Sequence, residues 1–229
     1  MTTTPTSNPE STAENQAAQA ASRLLFPHYS QLDPSWGFEV GTERTMCGLV
    51  SVKSVIDHYN GKSGLETPDI KTLLDIVIGA NDAKVNGMSH AVEVELLKAQ
   101  GLVAWRRNWE APASDPQWFV DNEQYTPEQV VAVTSQQFEE LIVDSVPERE
   151  LLSITASLDE QNPVIVSVKP GFGGNRADHQ IVLVGKETSK HGDSFVIMDP
   201  EHAPGSTLHT EPVERFFEYF NNRAIFVKQ

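Results

Sequence analysis

The sequence predicts an α+β domain in which a helical first half packs on an antiparallel β-sheet formed by the second half. Three observations predict this arrangement. Apolar residues recur at helical spacing in the segment that follows Cys47. Short runs of Val, Ile and Phe, which are typical of strands, dominate the chain after Pro163. With 229 residues, of which 39% are hydrophobic, the chain is long enough for one domain with a substantial core.

The helices are predicted from apolar periodicity and from residues that favour helix ends. The first begins at or just after Cys47, because the apolar side chains between Leu49 and Tyr59 fall on one face. The second begins at Thr67-Pro68 and runs to about Ala80, because threonine is a good N-cap and proline is favoured at the first helical position. Further helices are predicted from Ser89 to Gly101, over 134–145, over Leu151–Leu158 and from Thr210 or Glu211 to Phe220.

The strands are predicted from β-branched and aromatic residues. A short strand is expected at 102–105, after the third helix. Four more are expected in the second half, at Val164–Val168, Ile181–Val184, Phe195–Met198 and Ala224–Val227. The second half therefore alternates strands that are expected to form a sheet.

The single cysteine, Cys47, is the candidate nucleophile. It lies at a helix start, where unpaired N–H groups and the positive end of the helix dipole favour a thiolate. A lone cysteine is more often a small buried hydrophobic residue, so the assignment depends on its partners. His179 opens one predicted strand and Asp199 follows the next. If these strands are antiparallel neighbours, the two side chains meet and form the base and orienting group that a thiol nucleophile needs.

Structural alternatives stand beside these assignments. His179 could be a strand-end histidine that bonds only to backbone, and the Asp199-Pro200 pair could simply begin a turn. Asp178 is the weaker candidate for orienting His179, because adjacent residues of a strand point to opposite faces. Gln31 could be an ordinary residue of a surface loop.

No cofactor or metal site is predicted. No pair among the seven histidines has the short spacing of a zinc motif, and one cysteine cannot build a structural zinc site. Glu201, His202 and His209 are expected to lie in an exposed loop. The glycine-rich stretch at 171–174 lies between strands with no helix after it, so a nucleotide site is not expected there.

Charge and N-terminal composition restrict the partners and the location. A net charge of −15 disfavours binding to nucleic acid or to an anionic membrane, each of which needs a basic face. Residues 1–22 are rich in small polar residues and predict a disordered tail rather than a signal peptide. No apolar stretch is long enough to span a membrane. A cytoplasmic location is therefore expected, with non-classical export left open, and no feature predicts the oligomeric state.

The order of the motifs resembles that of the C39-like cysteine peptidases of the papain-like superfamily. The resemblance extends from about Pro27 to the C-terminus and is patchy between Arg106 and Arg149. The residues that carry it are Tyr29-x-Gln31-x-Asp33-x-x-Trp36, Cys47-Gly48, Pro163–Val166, His179 before Ile181–Gly185, and Asp199-Pro200. The resemblance implies a papain-like fold spanning residues 23–229, with the active-site cleft between the helical half and the sheet.

Carried over residue by residue, the resemblance also implies the chemistry. Cys47 is the nucleophile, His179 the general base, Asp199 the residue that orients the histidine, and Gln31 a donor to the oxyanion. The implied activity is that of a cysteine peptidase or amide hydrolase that cleaves a peptide or protein substrate through a thioester.

Two other functions stay open at this stage. The same triad could serve an acyltransferase, acting as a transamidase, deamidase or peptide ligase, because transfer differs from hydrolysis only in whether an amine or water reaches the thioester. The chain could also be a catalytically inactive binding module of papain-like fold. Met46 and Leu49, which replace the small residue and the proline usual around the family's cysteine, are the reason to keep that alternative.

The segment 106–150 is the part least similar to the family. It contains Trp109, Trp118, Phe119 and Tyr125 among prolines and acidic residues. One interpretation is a surface insertion packed by its own aromatic side chains. The other is a lid or substrate-recognition element over the cleft, because long irregular segments in compact domains are often functional.

Overall fold

A computed structural model describes residues 25–38, 46–80, 88–109, 146–172 and 179–229. A 3-10 turn at Pro34–Trp36 precedes the first helix. The helices are α1 Cys47–Ser63, α2 Ile70–Ala80, α3 His90–Ala99, α4 Val146–Asp159 and α5 Val213–Tyr219. The strands are β1 Val103–Asn108, β2 Val164–Val168, β3 His179–Ser189, β4 Gly192–Met198, β5 Leu208–Pro212 and β6 Phe220–Lys228. The predicted tail 1–22, the predicted helix 134–145, most of the segment 106–150 and Asp178 lie outside the described residues.

All the strands form one antiparallel sheet in the order β1-β6-β2-β3-β4-β5. The predicted α+β class and the antiparallel second half are confirmed. The strands predicted at Val164–Val168 and within β3, β4 and β6 are present, and the last three are longer than the apolar runs. They are longer because backbone pairing with a neighbour extends a strand into polar residues that apolar patterning does not reveal.

Helices cover both faces of the sheet. On one face, α1, α2 and α3 form a core with strand residues such as Ile165 and Val182. On the other face, Ile154 of α4 and Phe216 of α5 pack on the alternate strand residues, including Val166. The predicted helix at 151–158 therefore exists but packs opposite the earlier helices. Because every residue of β2 is buried, this sheet needs cover on both sides.

Two predicted boundaries are wrong. The second helix begins at Ile70, because the Asp69 side chain, rather than Thr67, accepts a hydrogen bond from the amide of Thr72 at 2.9 Å. The helix predicted from Thr210 or Glu211 begins instead at Val213, since residues 208–212 form β5 and pair with β4. Proline is tolerated at the end of an edge strand, so Pro212 can close β5 before the helix starts.

Candidate active site

Cys47 is the first residue of α1, as the apolar spacing predicts. Met46 occupies the N-cap position and its side chain makes no hydrogen bond to the helix. The first backbone N–H groups of α1 therefore have no capping side chain, and the positive end of the helix dipole lies at Cys47. Such a helix N-terminus is a favourable position for an anion.

His179 and Asp199 meet at one end of the sheet, because β3 and β4 are antiparallel neighbours. His179 opens β3, and Asp199 follows the last residue of β4. Nε2 of His179 lies 2.7 Å from Oδ1 of Asp199, and both side chains are buried. Cys47 lies close enough to His179 to raise the pKa of the histidine. His179 is thus brought together with both Cys47 and Asp199, and its hydrogen bond with Asp199 excludes a histidine bonded only to backbone.

These contacts determine the charge states of the pair. Burial alone would lower the pKa of His179, but hydrogen bonds with Asp199 and Cys47, and the negative charges of both, raise that pKa to about 10. Burial would raise the pKa of Asp199, but the hydrogen bond and charge of His179 and the backbone amide of Glu201 hold it below its usual value. At neutral pH the pair is an imidazolium and a carboxylate.

Gln31 is held beside the residue that follows Asp199. The backbone N–H of Gln31 donates to the carbonyl of Pro200 at 2.8 Å, and the Ser30 hydroxyl donates to the carbonyl of His202 at 2.5 Å. Gln31 is only 1% exposed, so the surface-loop alternative is wrong. Neither polar atom of its side chain has a hydrogen-bond partner among the described residues. A buried primary amide without partners is able to bind an incoming group.

The segment that contains Gln31 is also anchored to the helix that contains Cys47. The Tyr29 hydroxyl donates to Oδ2 of Asp57 at 2.7 Å, and Lys53 forms a buried ion pair with the same carboxylate oxygen. Both Lys53 and Asp57 belong to α1. Sequence reasoning missed this anchor, although Lys53 and Asp57 have the spacing of a helical ion pair.

The prediction of an exposed loop for Glu201, His202 and His209 is wrong. All three side chains are partly buried around the end of β4. Oε2 of Glu201 lies 3.9 Å from Nδ1 of His179, and Nε2 of His202 lies 3.6 Å from Oδ2 of Asp199. The rings of His202 and His209 stack at 4.7 Å between centroids. Proximity to Asp199 in the chain was the available signal, but composition alone favoured a loop.

Glu93 and Gln180 lie behind the active site and were not predicted. Glu93 of α3 is fully buried, and Gln180 follows His179 on β3. Burial raises the pKa of Glu93 to about 8. The signal that could have found Glu93 is its place among apolar residues of the predicted helix, one turn before Leu97.

The described residues contain neither a cluster suited to a metal ion nor a helix suited to a membrane. Within the described ranges, no group of three or more His, Cys, Asp or Glu side chains is arranged to hold a metal ion. In the same part of the chain, no helix combines the length and apolar character needed to cross a membrane.

Comparison with known proteins gives several similarities. The sequence model of the Peptidase_C39 like family matches residues 23–224. The peptidase domain of Streptococcus ComA, a bifunctional ABC transporter of a quorum-sensing pathway, has 19% identity and a TM-score of 0.47, covering 88% of this chain and 97% of that one. A double glycine motif protease from an AMS/PCAT transporter, solved with its leader peptide, has 17% identity and a TM-score of 0.41, covering 80% and 83%. No curated protein sequence matches the chain.

The family assignment rests on the sequence match, which includes Gln31, Cys47, His179 and Asp199 and extends over most of the chain. The α+β fold, with Cys47 at the start of a helix packed on an antiparallel sheet, agrees with it. The chain therefore belongs to the Peptidase_C39 like family and is a papain-like cysteine peptidase.

Proposed function

We propose that the protein hydrolyses a peptide bond of a peptide or protein substrate through Cys47, His179 and Asp199, with Gln31 as an oxyanion donor. The observation that carries the proposal is the placement of His179 between Cys47 and Asp199, with 2.7 Å between the side chains of His179 and Asp199. This is the arrangement of nucleophile, base and orienting group that acyl transfer requires.

The reaction begins with attack of the Cys47 thiolate on the carbonyl carbon of the substrate. The tetrahedral intermediate collapses when the C–N bond breaks, and the imidazolium of His179 gives its proton to the leaving amine. A thioester remains on Cys47. Water then attacks the thioester and gives a proton to His179, and the C–S bond breaks to release the acid and restore the thiolate.

Asp199 keeps His179 in the reactive orientation throughout. Because Nε2 of His179 donates to Oδ1 of Asp199, Nδ1 is the ring nitrogen left to exchange the proton with Cys47 and the leaving group. The carboxylate also stabilises the imidazolium, so the proton remains available until the amine departs.

Gln31 and the start of α1 stabilise the negative oxygen of the intermediate. The Gln31 side-chain amide and the Cys47 backbone N–H are the two donors in this proposal. The proposal is supported by the buried side chain of Gln31, whose two polar atoms have no hydrogen-bond partner among the described residues. It is also supported by the backbone hydrogen bond from Gln31 to Pro200, the residue after Asp199. A donor of this kind contributes about 3 kcal/mol to the transition state.

Replacing Gln31 with alanine is expected to lower kcat by about 10²–10³ and to change KM little, because the donor acts on charge that develops in the transition state. The measurement is steady-state hydrolysis of a peptide substrate. Leu32→Ala removes the exposed neighbouring side chain and is the control. An unchanged kcat in a folded Gln31→Ala protein would assign Gln31 to packing alone.

The proposed pairing of a Cys47 thiolate with a His179 imidazolium is tested by the pH dependence of Cys47 alkylation with iodoacetamide. Because Cys47 is the sole cysteine, labelling reports on this site alone. Fast labelling is expected at pH 6–7 in the wild type and is expected to be lost in His179→Ala, since the imidazolium no longer stabilises a thiolate. His191→Ala removes an exposed histidine from the β3–β4 turn and should label like the wild type. Equal, slow labelling of wild type and His179→Ala would contradict the proposal.

A further inference from the structure

The buried carboxyl group of Glu93 lies directly behind the nucleophile. Glu93 belongs to α3 and is 0% exposed. Neither of its carboxyl oxygens has a hydrogen bond of good geometry to any described residue. The Oε1 atom of Gln180 is likewise buried and without a hydrogen bond among these residues. Both side chains thus contain buried oxygens that lack donors among the described residues, including Oε1 of Glu93 and Oε1 of Gln180.

The two oxygens converge on Gly48, the residue after Cys47. A Cβ atom built on Gly48 would lie 2.2 Å from Oε1 of Gln180 and 2.5 Å from Oε1 of Glu93. Only glycine therefore leaves room for both groups against the first turn of α1. The contact joins three elements, because Gly48 belongs to α1, Glu93 to α3 and Gln180 to β3.

The polar contact between α3 and the sheet continues to β2. Nε2 of His90 lies 2.9 Å from the hydroxyl of Ser167, and Ser167 is the register partner of Gln180. His90 and Glu93 are three residues apart on α3 and therefore lie on one face of the helix. The same face of α3 thus reaches two adjacent strands through polar groups.

An ionised Glu93 does not suit these surroundings. A fully buried carboxylate without donors is strongly unfavourable, and it would face a second acceptor, the carbonyl oxygen of Gln180. One proton on Glu93 resolves both problems, because the carboxylic acid then donates to Gln180 Oε1 and no charge is buried.

We propose that Glu93 is held as a neutral carboxylic acid that donates a hydrogen bond to Oε1 of Gln180, and that this contact positions Cys47 and His179. Glu93 is a positioning residue, because it acts through its neighbours: Gly48 follows the nucleophile and Gln180 follows the base. The positioning role rests on the proposed function of Cys47 and His179, whereas the protonation state of Glu93 does not.

The titratable groups around Glu93 are consistent with a neutral acid. From α3 itself comes His90, whose pKa is lowered to about 4 by burial and by the charges of Arg223 on β6 and Arg106 on β1. On α1, Cys47 is the residue before Gly48, and on β3, His179 is the residue before Gln180. Burial raises the pKa of Glu93 to about 8 despite the lowering effect of the nearby Gln180 side chain.

The protonation state is tested by thermal or denaturant unfolding of the wild type and Glu93→Gln as a function of pH, both in a Cys47→Ala background. A carboxyl whose folded pKa is raised from 4.5 to about 8 contributes stability that is present below about pH 4.5 and lost as the pH rises to about 8. In that window the folding equilibrium constant of the protein with Glu93 is expected to fall about tenfold per pH unit relative to Glu93→Gln. Equal pH dependence of the two proteins would overturn the proposal, because Glu93 would then be ionised and accept from the Gln180 amide.

The matched control is Glu95→Gln. Glu95 lies on the same helix, its side chain is 73% exposed and it pairs with Lys98. Because the Glu95 side chain is exposed, Glu95→Gln should show the same pH dependence of unfolding as the wild type.

The positioning role is tested by the rate of Cys47 alkylation at pH 7. The glutamine of Glu93→Gln can still donate to Gln180, so its alkylation rate should stay within about threefold of the wild-type rate. The leucine of Glu93→Leu cannot donate, so the alkylation rate should fall at least about tenfold. A folded Glu93→Leu protein that alkylates as fast as the wild type would overturn the positioning role. The unfolding experiment uses the Cys47→Ala background and does not involve the thiol. It therefore reports the protonation state of Glu93 even if Cys47 and His179 prove not to be catalytic.

Discussion

Replacing Cys47 with alanine is expected to abolish peptide hydrolysis, with a loss in kcat on the order of 10⁶. The loss is large because the remaining groups can polarise a carbonyl but cannot form the thioester. The measurement is incubation of a peptide library with wild type and variant, followed by mass spectrometry of the new termini.

The control for this experiment is Ser54→Ala. It removes a buried hydroxyl from the same helix, where the Ser54 side chain donates to the carbonyl of Val50 one turn earlier. Wild-type cleavage products should persist in Ser54→Ala and be absent in Cys47→Ala. Products that persist in Cys47→Ala at the wild-type rate would show that the activity does not depend on this thiol. Adding a primary amine to the wild-type reaction reveals acyl transfer as a mass shift of the products.

Replacing Asp199 with alanine is expected to lower kcat on the order of 10³. His179 loses the buried carboxylate that raises its pKa, so at neutral pH the imidazole is neutral more often and the thiolate loses its counter-charge. The Nε2–H group of His179 also loses its acceptor, and the ring is no longer held in one orientation. Fast alkylation of Cys47 at pH 6 should be lost together with hydrolysis.

The exposed Asp193 supplies the control for Asp199→Ala. Asp193 pairs with Lys186 across the β3–β4 hairpin at 2.7 Å, far along both strands from the catalytic end. Asp193→Asn should therefore keep wild-type rates. If Asp199→Ala folds and keeps more than about a tenth of the wild-type kcat, the orienting role belongs to another group, and Glu201, 3.9 Å from His179, is the first to examine.

The parts of the site that the sequence predicts are those fixed by local pattern. Apolar periodicity places Cys47 at a helix start, and two neighbouring antiparallel strands bring His179 and Asp199 together at one end of the sheet. Both conclusions need only the periods of helices and strands. The roles of the residues came from the family resemblance, since the same periodicities occur in proteins without catalytic activity.

The parts that the sequence does not predict depend on contacts between distant segments. Burial of Gln31 follows from its backbone bond to Pro200, and the Glu93–Gln180 contact follows from how α3 packs on β3. Neither segment contains a pattern that reveals its partner. The sequence predicts a helix start at Thr210 or Glu211, with Pro212 in the first turn, yet residues 208–212 pair with β4 and form β5.

The last strand of the sheet, β6, has a consequence for when the enzyme can become active. It lies between β1 and β2, so Val103 must pair with Lys228 and Val164 with Phe226. Pairings between such distant segments form late, because a long loop must close first. During synthesis β2, which pairs with β3, keeps an open edge until β6 has left the ribosome. We therefore expect the ends of β3 and β4, which bring His179 and Asp199 together, to be held stably only after β6 has been synthesised.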